Sequence, residues 1–139
     1  MPLHCCPCRR IKMLLRLSLV LCVVAVVVAK PPYQDQIPNG KLVPHPCNSD
    51  LVWNAVGHTN ADLGGAQSLN QFGRDFRAEG HAWTQALCQK DSDNDGFTNG
   101  QELGDPQCTW RAGTVPVWPP TGHPGIDESS YPCAHMAIG

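Results

Sequence analysis

The chain has 139 residues, 16% of them charged, with 10 Lys and Arg against 12 Asp and Glu for a formal net charge of −2. That length suits one small domain, and the balance lacks the basic patch that nucleic acid or an anionic membrane surface would require of a partner.

The N-terminus has the layout of a secretory signal. Arg9, Arg10, Lys12 and Arg16 precede an apolar run from Leu17 to Ala29 that ends in a small residue. Its 13 residues are short for a membrane-spanning helix. Residues 1–29 are therefore expected to be cleaved, with translation starting at Met1 or Met13, and residues 30–139 to be secreted without a stable membrane anchor; a retained, uncleaved anchor is the rival. Cys5, Cys6, Cys8 and Cys22 leave with the signal. All 12 acidic residues but only six of the ten basic ones belong to the mature part, which gives it a charge of −6.

Pro31, Pro32, Pro38, Pro44 and Pro46 punctuate the start of the mature domain, so an extended loop is expected there, followed by a short strand at Leu51 to Trp53. Phe72, Phe76, Gly80, Trp83 and Leu87 then recur at intervals of 4, 4, 3 and 4, the period of one helical face. This predicts one main helix from about Asn70 to Gln89, with Ser68 or Asn70 as N-cap and Ser68-x-x-Gln71 resembling a capping box. Its aromatic stripe reads as core, because a small secreted domain needs that area to fold. Gly73 and Gly80 are costly in a helix, which suggests that another segment approaches closely at both.

The helix delivers the chain into the strongest chemical signal. Asp91-Ser-Asp-Asn-Asp-Gly-Phe-Thr-Asn-Gly-Gln-Glu102 matches the calcium-loop pattern D-x-[DN]-x-[DN]-G-x5-E at every specified place. Three carboxylates two residues apart repel one another unless a hard cation sits among them. One structural Ca2+ is expected, held by side-chain oxygens of Asp91, Asp93 and Asp95, the carbonyl of Phe97, Asn99 directly or through water, and a bidentate Glu102. Gly96 permits the sharp turn. Leu103-Gly-Asp-Pro106 stops the exit helix within about a turn. A lone loop with a truncated helix rarely acts as a calcium switch, so the ion reads as structural, and Asp105 is expected to cap the Asp-Pro turn, with an added oxygen to the ion as its alternative role.

Beyond the loop, Pro116, Pro119 and Pro120 stiffen a segment that carries Trp110, Val117 and Trp118 as candidate partner-binding groups. Four cysteines remain, Cys47, Cys88, Cys108 and Cys133, and allow three disulfide connectivities. The nested pairing Cys88–Cys108 with Cys47–Cys133 is favoured because it staples the base of the acidic loop and ties the start of the domain to its end. His45, His58, His81, His123 and His135 are scattered with no i, i+4 pair, and His58 and His81 are expected to donate to loop carbonyls. No serine sits in a nucleophile elbow, so a hydrolytic triad lacks support. The fold expected is a small disulfide-stapled α+β or irregular domain, with one main helix leading into an EF-hand-like calcium loop and long Pro-rich loops.

Ile37-Pro-Asn-Gly40, Pro44-His-Pro-Cys47, Trp53-Asn-Ala-Val-Gly-His58, Phe72-Gly-Arg-Asp-Phe76, Gly80-His-Ala-Trp-Thr84 and Thr98 to Pro106 with Cys108 and Trp110 resemble the temptins, secreted water-borne pheromone proteins of gastropod molluscs. The resemblance covers nearly the whole mature chain. It implies the same nested disulfides and a non-enzymatic role: binding a companion protein pheromone, attractin, and promoting attraction and mating. Where such sequences often read Asn-Pro-Phe-Gly, this chain has Asn70-Gln-Phe-Gly73. Two other classes stand beside this one, an extracellular calcium-binding matrix or biomineralisation protein and a domain related to a copper monooxygenase.

Overall fold

The computed structural model describes residues 32–62, 65 and 68–133. The expected signal segment 1–29 lies outside them. Among the described residues no helix is long and apolar enough to cross a membrane.

A 3-10 turn at Tyr33–Gln36 opens the domain and leads to a two-stranded antiparallel hairpin, β1 (Pro44–His45) and β2 (Asn48–Val52). Pro44 pairs with Val52 and His45 with Asn48, with an irregularity between them. Proline has no N–H to donate, and a two-stranded hairpin tolerates it because both strands are edges. The strand is longer than the expected Leu51 to Trp53, and β2 is solvent-exposed along its length. The chain turns inward immediately after it. Trp53 is buried, its backbone N–H donating to Val43 O at 2.8 Å.

The single helix expected over Asn70 to Gln89 is two helices, α1 (Gln71–Ala78) and α2 (Gln85–Gln89). Asn70, not Ser68, caps α1: its Oδ1 accepts from Gly73 N at 2.8 Å while its Nδ2 donates to Val56 O at 2.8 Å and His58 O at 3.1 Å. The break is a Schellman stop. Gly80 adopts φ 69°, and the Gly80 and His81 amides bond back to Arg77 O and Phe76 O. Gly80 is therefore present for its left-handed backbone, and a Cβ there would meet open space rather than a neighbouring segment. Gly73 is the one that is closely approached, by the Gly57 backbone. Thr84 restarts the helix by accepting the Leu87 amide at 3.1 Å.

The apolar stripe survives the break. Phe72, Phe76 and Leu87 join Ile37, Val43, Val56 and Leu103 in one core, with Trp83 half-buried against it. Among the described residues, His58 and His81 make contacts other than the expected bonds to loop carbonyls: His58 Nδ1 meets Ser68 Oγ at 3.1 Å and the His81 ring stacks on Tyr33 with centroids 4.4 Å apart. Tyr33, Val56, Leu69 and Phe76 line a mostly apolar cavity of about 580 Å³. No carboxylate is among its described lining residues.

Two disulfides close the domain, Cys88–Cys108 across 20 residues of sequence and Cys47–Cys133 across 86.

Candidate metal centre

α2 ends at Gln89, Lys90 caps it, and the acidic loop follows. Its first half folds on its own carboxylates. Asp91 accepts the amides of Asn94 and Gly96 at 2.8 and 3.0 Å, Asp93 accepts Asp95 N at 3.4 Å, and Asp95 accepts Phe97 N at 2.8 Å. Such Asx turns curl the backbone around the side chains and hold three carboxylates on its inner side. The second half is helical. Thr98 caps a third helix, α3 (Asn99–Glu102), through a capping box with Gln101, and the helix ends after that single turn. Asn99 N donates to Lys90 O at 2.7 Å, which closes the loop at its base.

Asp91, Asp93 and Asp95 each offer an oxygen to a cluster whose atoms lie within 4.8 Å of one another. A second cluster of the same tightness joins Asp95 and Glu102 to Glu128. Asp95 belongs to both, so the two share one locus. Glu102 is only 3% exposed, and neither of its carboxylate oxygens has a hydrogen-bond partner; Asp93 Oδ2 is also buried without one. A buried carboxylate with no donor is costly as an anion. Burial, and then the charges of Asp93, Asp95, Glu128 and Asp91, push the Glu102 carboxyl up to about 9. Asp93 is pushed up to about 7, by burial and then by Asp95, against a lowering bond from the Asp95 amide. Burial also raises Glu128, offset in part by the His123 amide. A hard cation among these oxygens would replace the missing donors and cancel the repulsion.

The remaining expected ligands fare differently. Asn99 is fully buried: its Nδ2 donates to Leu87 O at 2.7 Å and Ser92 Oγ at 2.9 Å, which anchors the loop to α2, while its Oδ1, like the Glu102 oxygens, is buried without a hydrogen-bond partner. The Phe97 side chain projects into solvent, 58% exposed. Asp105 lies outside both clusters and caps, as expected: its carboxylate accepts the Thr109 and Trp110 amides and the Trp83 indole N–H at 2.9 to 3.1 Å. Glu128 was not among the expected ligands. No spacing rule connects it to the loop, and only the path of the C-terminal segment brings it there. Among the described residues, the clusters with metal-ligand spacing consist of carboxylates alone, without histidine.

The candidate partner-binding residues divide. Val117 and Trp118 are 76% and 59% exposed, and neighbouring Val115 is exposed too. Trp110 is half-buried, its indole N–H held by Thr114 O at 2.8 Å.

Comparison with known proteins follows the same outline. Residues 27–126 match the family model described as Temptin C-terminal. The chain is 47% identical over 126 residues to Temptin of Aplysia californica, an alignment that covers 90% of this chain and 97% of that protein. No solved structure matches. By both the family model and this relationship, the chain belongs to the temptin family.

Proposed function

We propose that this chain is a secreted, non-enzymatic, water-borne pheromone component that holds one structural calcium ion and docks a companion protein pheromone of the attractin type. The reading of its role rests on 47% identity to Aplysia Temptin along nearly the full length of both chains. In chemical terms such a protein needs a fold that persists in water outside the cell and a surface for its partner. Two disulfides and an ion supply the first, since a domain of this size has little core to spare. The exposed Val117 and Trp118 supply the second.

For the ion, the carrying observation is Glu102, buried with both oxygens unpartnered at the meeting point of two carboxylate clusters. Oxygen-only donors suit calcium, and Asp91, Asp93, Asp95 and Glu102 would hold it, with the Phe97 carbonyl and Asn99 as the remaining expected contributors. An inward-facing carboxylate favours an ion held inside the domain over an acidic face laid on mineral. Titration calorimetry of the chelator-treated protein should give one site with a Kd of about 10^-4 to 10^-3 M, the range of extracellular modules, and Glu102→Gln should abolish it. Absence of calcium binding at millimolar concentration would end the calcium reading. Calorimetry against a purified attractin-type pheromone tests the docking role, and no heat of binding would refute it.

A further inference from the structure

We infer that Glu128, outside the acidic loop, is a ligand of the ion, and that the ion thereby fastens the C-terminal segment 121–128 onto the loop. The inference rests on the calcium reading and adds to it a ligand and a mechanical consequence.

The acidic loop has only half of the usual helical frame. α3 ends after one turn, so no long exit helix covers Glu102. The C-terminal segment takes that place. Thr121 N donates to Glu102 O at 2.7 Å, and Thr121 Oγ1 donates to Gln101 O at 3.3 Å, which lays the segment across the end of α3. Gly122 follows, where a Cβ would come within 2.9 Å of Glu102 Oε1 and 3.3 Å of Glu128 Oε1. The backbone therefore passes directly against both carboxylates. Glu128 returns to the same point and accepts the His123 amide at 2.6 Å, a bond that fixes where its carboxylate sits.

Three carboxylates, Asp95, Glu102 and Glu128, thus meet within 4.8 Å from three separate parts of the chain. Acidic clusters alone are common. Here the deepest member, Glu102, is 97% removed from solvent and has no protein donor for either oxygen, whereas Asp95 and Glu128 each accept a backbone amide. With one oxygen from each loop aspartate and two from Glu102, side chains of the loop supply five of the six to eight oxygens that calcium takes, so a carboxylate from across the gap can fill one of the remaining places. Its attachment would brace the chain on the path to Cys133, which is bonded to Cys47.

Calcium titration calorimetry on the whole mature protein tests this, using wild type, Glu128→Gln, Glu102→Gln and Asp50→Asn. Glutamine keeps the oxygen that accepts the His123 amide, so Glu128→Gln should match wild type by near-ultraviolet circular dichroism in chelator. Its Kd for calcium should rise at least about tenfold. Asp50, exposed on β2, controls for net charge, and its loss should change Kd by less than about twofold. Hydrogen exchange gives a second readout: calcium should slow the Thr121 and His123 amides in wild type and not in Glu128→Gln. If Glu128→Gln binds as wild type does while Glu102→Gln does not bind, Glu128 is no ligand and the calcium site stands without it. If wild type itself takes up no calcium, both fall together.

Discussion

Gly73 on α1 lies directly against Gly57. A Cβ at position 73 would overlap the Gly57 carbonyl oxygen and come within 2.8 Å of its carbonyl carbon, and a Cβ on Gly57 would in turn lie 3.1 Å from Gly73 Cα. The Asn70 amide donates to that same Gly57 carbonyl at 3.0 Å, so the start of α1 is seated on the turn that follows Trp53. An ordinary helical Gly→Ala change stabilises by about 1 kcal/mol. Here the sign should reverse, because backbone cannot yield as a flexible side chain does. Gly73→Ala is expected to cost about 1 to 3 kcal/mol in guanidinium unfolding, and a variant as stable as wild type would show that the two segments can separate freely.

Asp75 gives a pH test on a carboxylate outside both acidic clusters. It is buried, which raises its pKa, but bonds from Lys90 Nζ at 2.6 Å, Ser92 Oγ at 2.9 Å and Gln71 Nε2 at 2.9 Å, with the Lys90 charge, outweigh burial and bring it below the usual 3.8. A carboxyl lowered in the folded state contributes stability that is fully present above its unfolded pKa and is lost as pH falls through the folded one. At pH 7, with chelator present, Asp75→Asn should cost roughly 1.5 to 3 kcal/mol. The gap between wild type and variant should narrow at pH 3. An equal gap at both pH values would mean that the charge on Asp75 contributes nothing.

The loop aspartates, the stop after Glu102 and the capping by Asp105 were legible because each is local, set by neighbours a few positions away. The unbroken helical period from Asn70 to Gln89 conceals a break between two helices. Gly80 falls on the apolar stripe at the right interval, and periodicity cannot reveal that its φ is positive or that Thr84 caps a new helix. Glu128 was illegible for a different reason. Its place beside Glu102 depends on the course of the C-terminal segment, and nothing between Asp105 and Glu128 announces that return.

The two disulfides should differ in what they protect. On chain-entropy grounds Cys88–Cys108, separated by 20 residues, contributes about 3 kcal/mol and Cys47–Cys133, separated by 86, about 4 to 5 kcal/mol. Removing the first, as Cys88→Ala with Cys108→Ala, should lower the thermal midpoint and also weaken calcium binding. Cys88 lies in the last turn of α2, whose Leu87 carbonyl receives the Asn99 side-chain amide, so the base of the acidic loop loosens with it. A variant that melts earlier yet binds calcium with unchanged affinity would separate the staple from the ion site.

Trp118 combines an exposed indole with a fixed backbone: its carbonyl accepts Asn39 Nδ2 at 2.8 Å, and the same amide donates to Leu103 O at 2.9 Å. Pro116, Pro119 and Pro120 restrict the chain on either side. A large side chain presented on backbone that is already ordered loses little entropy on docking, which is the property of an interface anchor. Trp118→Ala should therefore leave the fold intact, with a stability change within about 0.5 kcal/mol, and weaken binding to an attractin-type pheromone by about 2 kcal/mol, roughly thirtyfold in Kd. Trp110 should behave in the opposite way, since its indole is tied to Thr114 and its amide to Asp105. Its replacement by alanine should reduce stability first. Calorimetry with the purified partner, beside circular dichroism of each variant, separates the two. Full affinity in a folded Trp118→Ala protein would remove the C-terminal segment from the interface.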